Sequence, residues 1–338
     1  MSYKIIVNHL KNVYIGKSGE SLFAALTRNG VFIPTACGGR GKCGFCKVSV
    51  LSGIHQDFTD SEKKLLKPDE LASGIRLSCQ VLPEDEQTIE IEVPESYFSV
   101  GRYQVKLMSK TVLTPDILLV KVQAVEPRFI RVVAGSWMAW QIPAYGGISE
   151  PFQRSFSVAS DPANRRNLEF IIRRTPCGPG TTWIFDVAKV GDMIELVGPQ
   201  GKFRLQDNPR EAIFVAGGSG LSAIRSLLLD MKTRKVNKKS RLFFGAVNRT
   251  NLYLTDELSA LEESLPDFKF VPVLSAEDPE DHWDGEKGLV TSVFAKYYKD
   301  CSEMEAYLCG SPGMLHASIK VLKELGMKEE NIRYDEFV

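Results

Sequence analysis

Cys37, Cys43, Cys46 and Cys79 constrain this chain more than any other feature of its 338 residues. The first three lie in one short loop, Cys37-Gly-Gly-Arg-Gly-Lys-Cys43-Gly-Phe-Cys46, and the fourth follows a long gap in Leu77-Ser78-Cys79-Gln80. Two irons of a [2Fe–2S] cluster need four thiolates. A single loop can present three of them only if its backbone curls tightly and turns its amides toward sulfur, which Gly38, Gly39, Gly41 and Gly44 permit. A zinc site would more usually show two short cysteine pairs, and a disulfide framework belongs to small secreted chains; both remain as alternatives.

The length suits two or three domains. Apolar content is 43%, and 42 Lys+Arg balance 42 Asp+Glu, so the composition is globular and no net field draws the chain to nucleic acid or anionic lipid. No apolar run approaches the roughly 20 residues that span a bilayer, and the opening residues read as a strand. The expectation is a cytoplasmic protein without a direct membrane span. Seven cysteines, an odd number, fit a reducing compartment.

Around the cysteines, residues 3–8 and 11–16 alternate as a hairpin, and Ser21 caps a short helix carrying Leu22, Phe23 and Leu26. A strand leaves the loop at Lys47, a short helix fits Asp60 to Leu66, and Thr88 to Val93 alternates cleanly. With the cysteine motif, residues 1–95 resemble the β-grasp ferredoxin domain of plant-type [2Fe–2S] proteins. Five residues separate Cys37 from Cys43 where plant-type ferredoxins have four. In this the loop is more similar to F subunits of sodium-translocating NADH:quinone reductases, or to adrenodoxin-type ferredoxins.

Short strands at 103–111, 116–124, 168–173 and 192–197 predict an antiparallel barrel after a linker near Pro94-Glu95-Ser96. Arg154-Ser155-Phe156-Ser157, Gly178-Pro179-Gly180-Thr181-Thr182 and Gly198-Pro-Gln-Gly-Lys-Phe203 resemble, in order, three flavin-site motifs of the ferredoxin-NADP reductase superfamily. The resemblance implies that Arg154 pairs with flavin phosphate, that Phe156 packs by the ring, and that Ser157 lies near flavin N5. Glycines and hydroxyls opening a helix at 178–182 also suit a pyrophosphate on physical grounds alone.

From Glu211 the period changes to alternating strands and helices. Ala212–Ala216 is a buried strand, Gly217-Gly218-Ser219-Gly220 a tight turn and Leu221–Met231 a helix; strands recur at 241–246, 268–274 and 305–309 with helices at 254–263, 288–298 and 313–325. This predicts an open parallel sheet that binds a nucleotide. The glycine turn, Cys309-Gly310-Ser311-Pro312 and the closing Tyr334-Asp-Glu336-Phe337 resemble later motifs of the same superfamily. The resemblance implies that Cys309 sits beside the nicotinamide, that Glu336 helps complete the hydride-transfer site and that Phe337 covers the flavin face. Cys177, Cys301 and the four histidines are expected to be structural.

The fold class expected is thus multidomain α/β and β: a β-grasp [2Fe–2S] domain at 1–98, a six-stranded antiparallel FAD barrel at 99–207 and an open parallel α/β NAD(P) domain at 208–338. Nicotinamide gives up two electrons at once and a [2Fe–2S] cluster takes one, so a flavin is needed between them. The expected activity is an NAD(P)H-dependent oxidoreductase of the ferredoxin reductase type. FAD is favoured over FMN by the resemblance, and NADH over NADPH because no basic cluster follows the second nucleotide strand, Arg249 being the exception. The acceptor would be an oxygenase, a quinone-reducing complex or a corrinoid protein, docking near the cluster or on Glu84-Asp85-Glu86, Glu90, Glu92 and Glu95. A non-redox interaction protein on the same fold is the remaining alternative.

Overall fold

A computed structural model describes residues 1–8, 12–94, 100–276 and 282–336. The expected linker at Glu95-Ser96, as well as Phe337, lies outside them. Three sheets fall in two compact units of the described residues: Met1–Arg102 with Ala139–Ser155, and Tyr103–Met138 with residues 156–336.

The first sheet has five strands, β1 (Ser2–Val7), β2 (Asn12–Lys17), β3 (Lys47–Ser52), β4 (Ile75–Leu77) and β5 (Thr88–Glu92), in the order β2-β1-β5-β3-β4. β1 and β5 are parallel; every other neighbour is antiparallel. Tyr3, Ile5 and Val7 alternate inward on β1 and pack on Leu22, Phe23 and Leu26 of helix α1 (Leu22–Arg28). Ser21 caps that helix by accepting the Ala24 amide, and Asn29 with Gly30 in a left-handed turn ends it.

Helix α2 (Asp60–Leu65) falls where the sequence pattern places a short helix, and α3 (Pro68–Ala72), which the pattern does not show, follows it before β4. α2 carries a fully buried carboxylate, Glu62, in a two-pronged bond to buried Arg76 at 2.8 and 3.0 Å. The Leu77 amide donates to the same carboxylate, while Arg76 donates to the carbonyls of Gln56 and Asp57. Burial opposes the charge on Glu62, but the Arg76 guanidinium and the Thr59 and Leu77 amides outweigh it and hold the carboxyl below its ordinary range. Because this node fixes the residues just before Cys79, Glu62→Ala is expected to cost about 3–5 kcal/mol by leaving Arg76 buried and unpaired. Denaturant unfolding checks this; a loss under 1 kcal/mol, roughly that of a surface pair, would contradict it.

The second sheet has strands β6 (Gly101–Thr114), β7 (Ile117–Glu126), β8 (Trp137–Ile142), β9 (Phe152–Ser157), β10 (Asn167–Arg173) and β11 (Met193–Gln200), in the order β10-β7-β6-β11-β8-β9. A lone antiparallel bridge, Val158 to Phe170, joins the two ends of that order. The sheet therefore turns back on itself at one point, without a full closing ladder. β8 was not expected: Trp137-Met-Ala-Trp140 is buried on both faces, so it lacks the alternation that marks a half-exposed strand. A short helix, α4 (Pro179–Thr182), runs on through residue 187 before β11.

The third sheet is parallel: β12 (Ala212–Gly217), β13 (Ser240–Ala246), β14 (Phe268–Leu274), β15 (Glu286–Lys287), β16 (Glu305–Gly310) and β17 (Ile332–Glu336), ordered β15-β14-β13-β12-β16-β17. Helices α5 (Leu221–Thr233), α6 (Thr255–Ser264), α7 (Val290–Tyr297) and α8 (Pro312–Glu324) connect the strands. The chain goes one way from β12 and then returns to add β16 on its other side, so the order reverses between β12 and β16. In open α/β sheets, ligands bind at the carboxyl ends of the strands at such a reversal.

Candidate active site and cluster loop

In the first unit the four cysteines come together as two pairs. The Sγ atoms of Cys46 and Cys79 lie 3.3 Å apart, and Cys43 is the neighbour that acts most strongly on the Cys37 thiol. Cys37, Cys46 and Cys79 are buried; Cys43 is half-buried. Gly38, Gly39, Gly41 and Gly44 all take φ between +67° and +84°, the left-handed region the curled loop demands. Cys37 is held below the ordinary thiol value by Cys43 and, against burial, by the amides of Lys42, Arg40 and Cys43. Cys79 is likewise lowered by Cys46 and, against burial, by the Gln80 side chain and the Gly41 amide. Among the described residues no set of three His, Cys, Asp or Glu forms a single-metal site. Two thiol pairs under inward-turned amides fit the donor set of a binuclear cluster, whose irons they would hold.

Thr35, just upstream, accepts the Gly38 and Gly39 amides on its hydroxyl at 2.9 and 3.2 Å, and its carbonyl accepts the Ser155 hydroxyl at 2.5 Å. Strand β9 is thus tied to the loop that carries Cys37. Arg154 of the same strand stacks on Phe152 and sits where a Cβ on Gly38 would meet its guanidinium at 2.0 Å. Its described hydrogen bond goes to the Gln153 carbonyl at 2.6 Å, and burial lowers its basicity. An enclosed guanidinium that joins no ion pair among the described residues suits an anionic group such as a flavin phosphate.

The second unit gathers the remaining residues. Ser157 donates to Asp335 at 3.3 Å, and its carbonyl accepts the Ser222 hydroxyl from the first turn of α5 at 2.6 Å. Two further α5 side chains grip the same segment: Arg225 bonds the Ala159 carbonyl, and Ser226 the Ser160 carbonyl. The end of the Arg-Ser-Phe-Ser strand is therefore fixed to the helix that opens after the glycine turn. Gly218 takes φ +52° in that turn, and a Cβ on Gly220 would lie 2.1 Å from the Cys309 carbonyl oxygen. Cys309 is fully buried, and burial raises its thiol well above the ordinary value. It stands opposite Asp335 in the β16–β17 register, and Gly310 stands opposite Glu336. Ser311 precedes Pro312 at the start of α8.

The carboxylate that reaches Ser157 is Asp335, and Glu336, which the resemblance places at the hydride-transfer site, follows it on β17. Burial pushes Asp335 up to about 6, against the Ser157 hydroxyl and Arg204. Between the unfolded value near 4 and about 6, the folded form keeps a proton that the unfolded form has released, so this group makes stability fall as pH rises through that window. Asp335→Asn removes the effect: its melting temperature relative to the parent is expected to climb from pH 4 to 6 and level off above. A flat difference across thermal melts would contradict the burial of this carboxylate.

At 178–182, Thr181 Oγ1 accepts the Thr175 amide at 3.0 Å and donates to the Gly178 carbonyl at 3.1 Å. A Cβ on Gly178 would come within 2.8 Å of the Thr175 side chain, so the turn closes only on glycine. Gly180 and Thr181 are buried, while Gly178 and Thr182 are half-buried.

Comparison with known proteins agrees with this geometry part by part. Residues 7–84 match the 2Fe-2S iron-sulfur cluster binding domain, 104–205 the oxidoreductase FAD-binding domain and 214–320 the oxidoreductase NAD-binding domain. The phenol hydroxylase P5 protein of Acinetobacter pittii strain PHEA-2 is 31% identical over 100% of this chain and 95% of its own length. The chain belongs to the iron–sulfur flavoproteins of the ferredoxin-NADP reductase superfamily. As a member of that superfamily it is an oxidoreductase that binds a [2Fe–2S] cluster, FAD and NAD. Another relative, the F subunit of the Na(+)-translocating NADH-quinone reductase of Neisseria meningitidis serogroup B, is 30% identical over 95% of this chain and 88% of its own. Among solved structures, the Amycolatopsis cytochrome P450 reductase GcoB superposes with a TM-score of 0.74 at 27% identity, covering 99% of this chain and 98% of that one. The ferredoxin reductase in carbazole 1,9a-dioxygenase shares the fold at the same TM-score and 23% identity, covering 100% and 99%. No described helix is long and apolar enough to cross a membrane.

Proposed function

We propose that this reductase takes electrons from NADH and delivers them singly, through its cluster, to the oxygenase component of a multicomponent system. The observation that carries this reading is likeness over the full length, in the same domain order, to a phenol hydroxylase component and a cytochrome P450 reductase. The reading divides the chain into domains at 1–98, 99–207 and 208–338. Bound FAD converts the two-electron chemistry of the nicotinamide into the one-electron chemistry of the cluster.

The chain's own groups would do the rest. Arg154, Ser155, Phe156, Gly178, Gly180, Thr181 and Thr182 would hold the flavin and its phosphates. Gly217, Gly218, Ser219 and Gly220, with Gly310, Ser311 and Pro312, would let the nucleotide approach the carboxyl ends of β12 and β16. Ser157, held between Asp335 and Ser222, would orient the reacting edge, with Asp335 accepting its hydroxyl proton in a hydrogen bond and Cys309 opposite Asp335 in the strand register. Glu336 and Phe337 would border the same site, and Cys37, Cys43, Cys46 and Cys79 would bind the irons.

A second reading rests on the 30% relative: a component of an NADH:quinone oxidoreductase, similar to that F subunit. Anaerobic stopped-flow with NADH and with NADPH, followed by a screen of oxygenase and quinone acceptors, separates the two. NADH is expected to bleach flavin and cluster in sequence, at least about tenfold faster than NADPH, the discrimination of a single well-placed contact. Flavin bleaching without cluster reduction would overturn the proposed route.

A further inference from the structure

The electron outlet carries a charge opposite to that of the acidic surface the sequence offers. Three of the four cysteines are buried and Cys43 is not, so the cluster loop meets solvent at Cys43. The stretch 34–47 contains no acidic residue. Around Cys43 it exposes Arg40, Lys42 and the ring of Phe45, which is 39% exposed. Helix α2 lies against this loop: a Cβ on Gly44 would touch Leu65 at 3.5 Å, and one on Gly41 would meet the Ser61 hydroxyl at 3.3 Å. α2 exposes Lys63 and Lys64 and is followed by exposed Lys67; the exposed acids of this region are Asp57 and Asp60 before these lysines and Asp69 after them. Among the described residues, none of Arg40, Lys42, Lys63 and Lys64 joins an ion pair, whereas Lys47 is paired with Glu70. The nearby carboxylate of Glu62 is taken up by Arg76.

The acidic turn lies elsewhere. The Glu86 amide donates to the Ser2 carbonyl and Asp85 accepts the Ser18 hydroxyl, which puts Glu84–Glu86 where β1 and β5 begin. β3 runs antiparallel to β5, with Ser52 opposite Glu90 and Ser49 opposite Glu92, so Lys47 and the cluster loop lie beyond the far end of β5. The Glu84–Glu86 turn and the cluster loop occupy opposite ends of one sheet, with exposed Glu92 at the loop end.

We infer that the basic surface beside Cys43, made by Arg40 and Lys42 of the loop with Lys63 and Lys64 of the adjoining α2 and carrying the exposed Phe45 ring, is the docking surface for a carboxylate-rich face of the one-electron acceptor. The inference rests on the proposed reductase activity and deepens it. Because the chain is neutral as a whole, with 42 charges of each sign, encounter at the outlet is governed by this local patch.

The test uses the holoprotein with its cluster reduced by dithionite, so that it does not depend on NADH. Reoxidation is followed by loss of the reduced-cluster EPR signal after mixing with anionic iron(III)–EDTA or cationic hexaammineruthenium(III), from low to near-physiological salt. The anionic oxidant is expected to slow as salt rises and the cationic one to quicken. The Lys42→Glu/Lys63→Glu/Lys64→Glu protein is expected to invert both trends and to lose about tenfold in rate with the anion at low salt. Arg40 is spared because its Nε donates to the Cys37 carbonyl at 2.8 Å. An unchanged EPR line shape in the variant shows that the cluster is intact. Fluorescently labelled poly-L-glutamate, titrated by anisotropy, is expected to bind the parent and to bind the variant about tenfold more weakly. The inference is overturned if the salt trends have the opposite sign, if the variant leaves them unchanged, or if poly-L-glutamate binds parent and variant alike. Failure of NADH to reduce a cluster that dithionite reduces would overturn the reductase reading and leave these outcomes readable.

Discussion

Cys43→Ser is expected to abolish electron delivery to a one-electron protein acceptor while NADH-driven reduction of a flavin-accepting dye stays within about twofold of the parent. Of the four cluster cysteines, Cys43 alone is not buried, so its replacement disturbs packing least. It also removes one of the four thiolates that two irons require. Ser157, Asp335, Ser222 and the Gly217–Gly220 turn all lie in the second unit, and none of their described hydrogen bonds reaches Cys43. Dye reduction and acceptor reduction, measured on one preparation with iron content determined, check the separation. Loss of both activities with flavin still bound would show that hydride transfer depends on the cluster loop.

Gly220→Ala should have an effect of similar size by another route. Gly220 has φ −60°, so alanine meets no backbone strain there. Its Cβ would lie 2.1 Å from the Cys309 oxygen, 2.4 Å from the Cys309 carbonyl carbon and 2.7 Å from the Gly310 amide, and backbone in a central strand cannot yield as a side-chain tip can. The glycine turn and β16 must separate. We expect a loss of about 3 kcal/mol or more in stability, at the upper end for overpacking, together with at least about a hundredfold loss in the rate of flavin reduction by NADH. Gly313→Ala is the matched control. Gly313 lies in α8 with nothing near its added methyl, so alanine should be neutral or stabilising by about 0.5–1 kcal/mol. Equal effects of the two substitutions would remove close approach as the reason for glycine at 220.

The sequence announced features in which local chemistry and structure coincide. Cysteine spacing with its glycines, the Ala212–Gly217 strand running through a glycine turn into α5, and the alternation of β1 and β5 all depend on neighbours a few residues away. What stayed hidden depends on contacts distant in sequence. Strand β8 shows no alternation because both of its faces are covered. That Asp335 meets Ser157 depends on the register of β17 against β16, since a shift of one residue exchanges the faces. Ser222, Arg225 and Ser226 look like an ordinary polar helix face until α5 is seen bonded to the 157–160 segment. The Ser155 bond to Thr35 spans 120 positions.

That last bond bears on how such a protein can be cut and recombined. A fragment ending at residue 98, where the sequence places its first boundary, would hold all four cluster cysteines and most of their core. It would lack the hydroxyl that seats Thr35 and the Arg154 side chain that closes over Gly38. The ferredoxin portion is therefore not a freely portable cassette. A transplanted copy would need the Phe152–Ser155 strand supplied by its new host, or a loop rebuilt to stand without it.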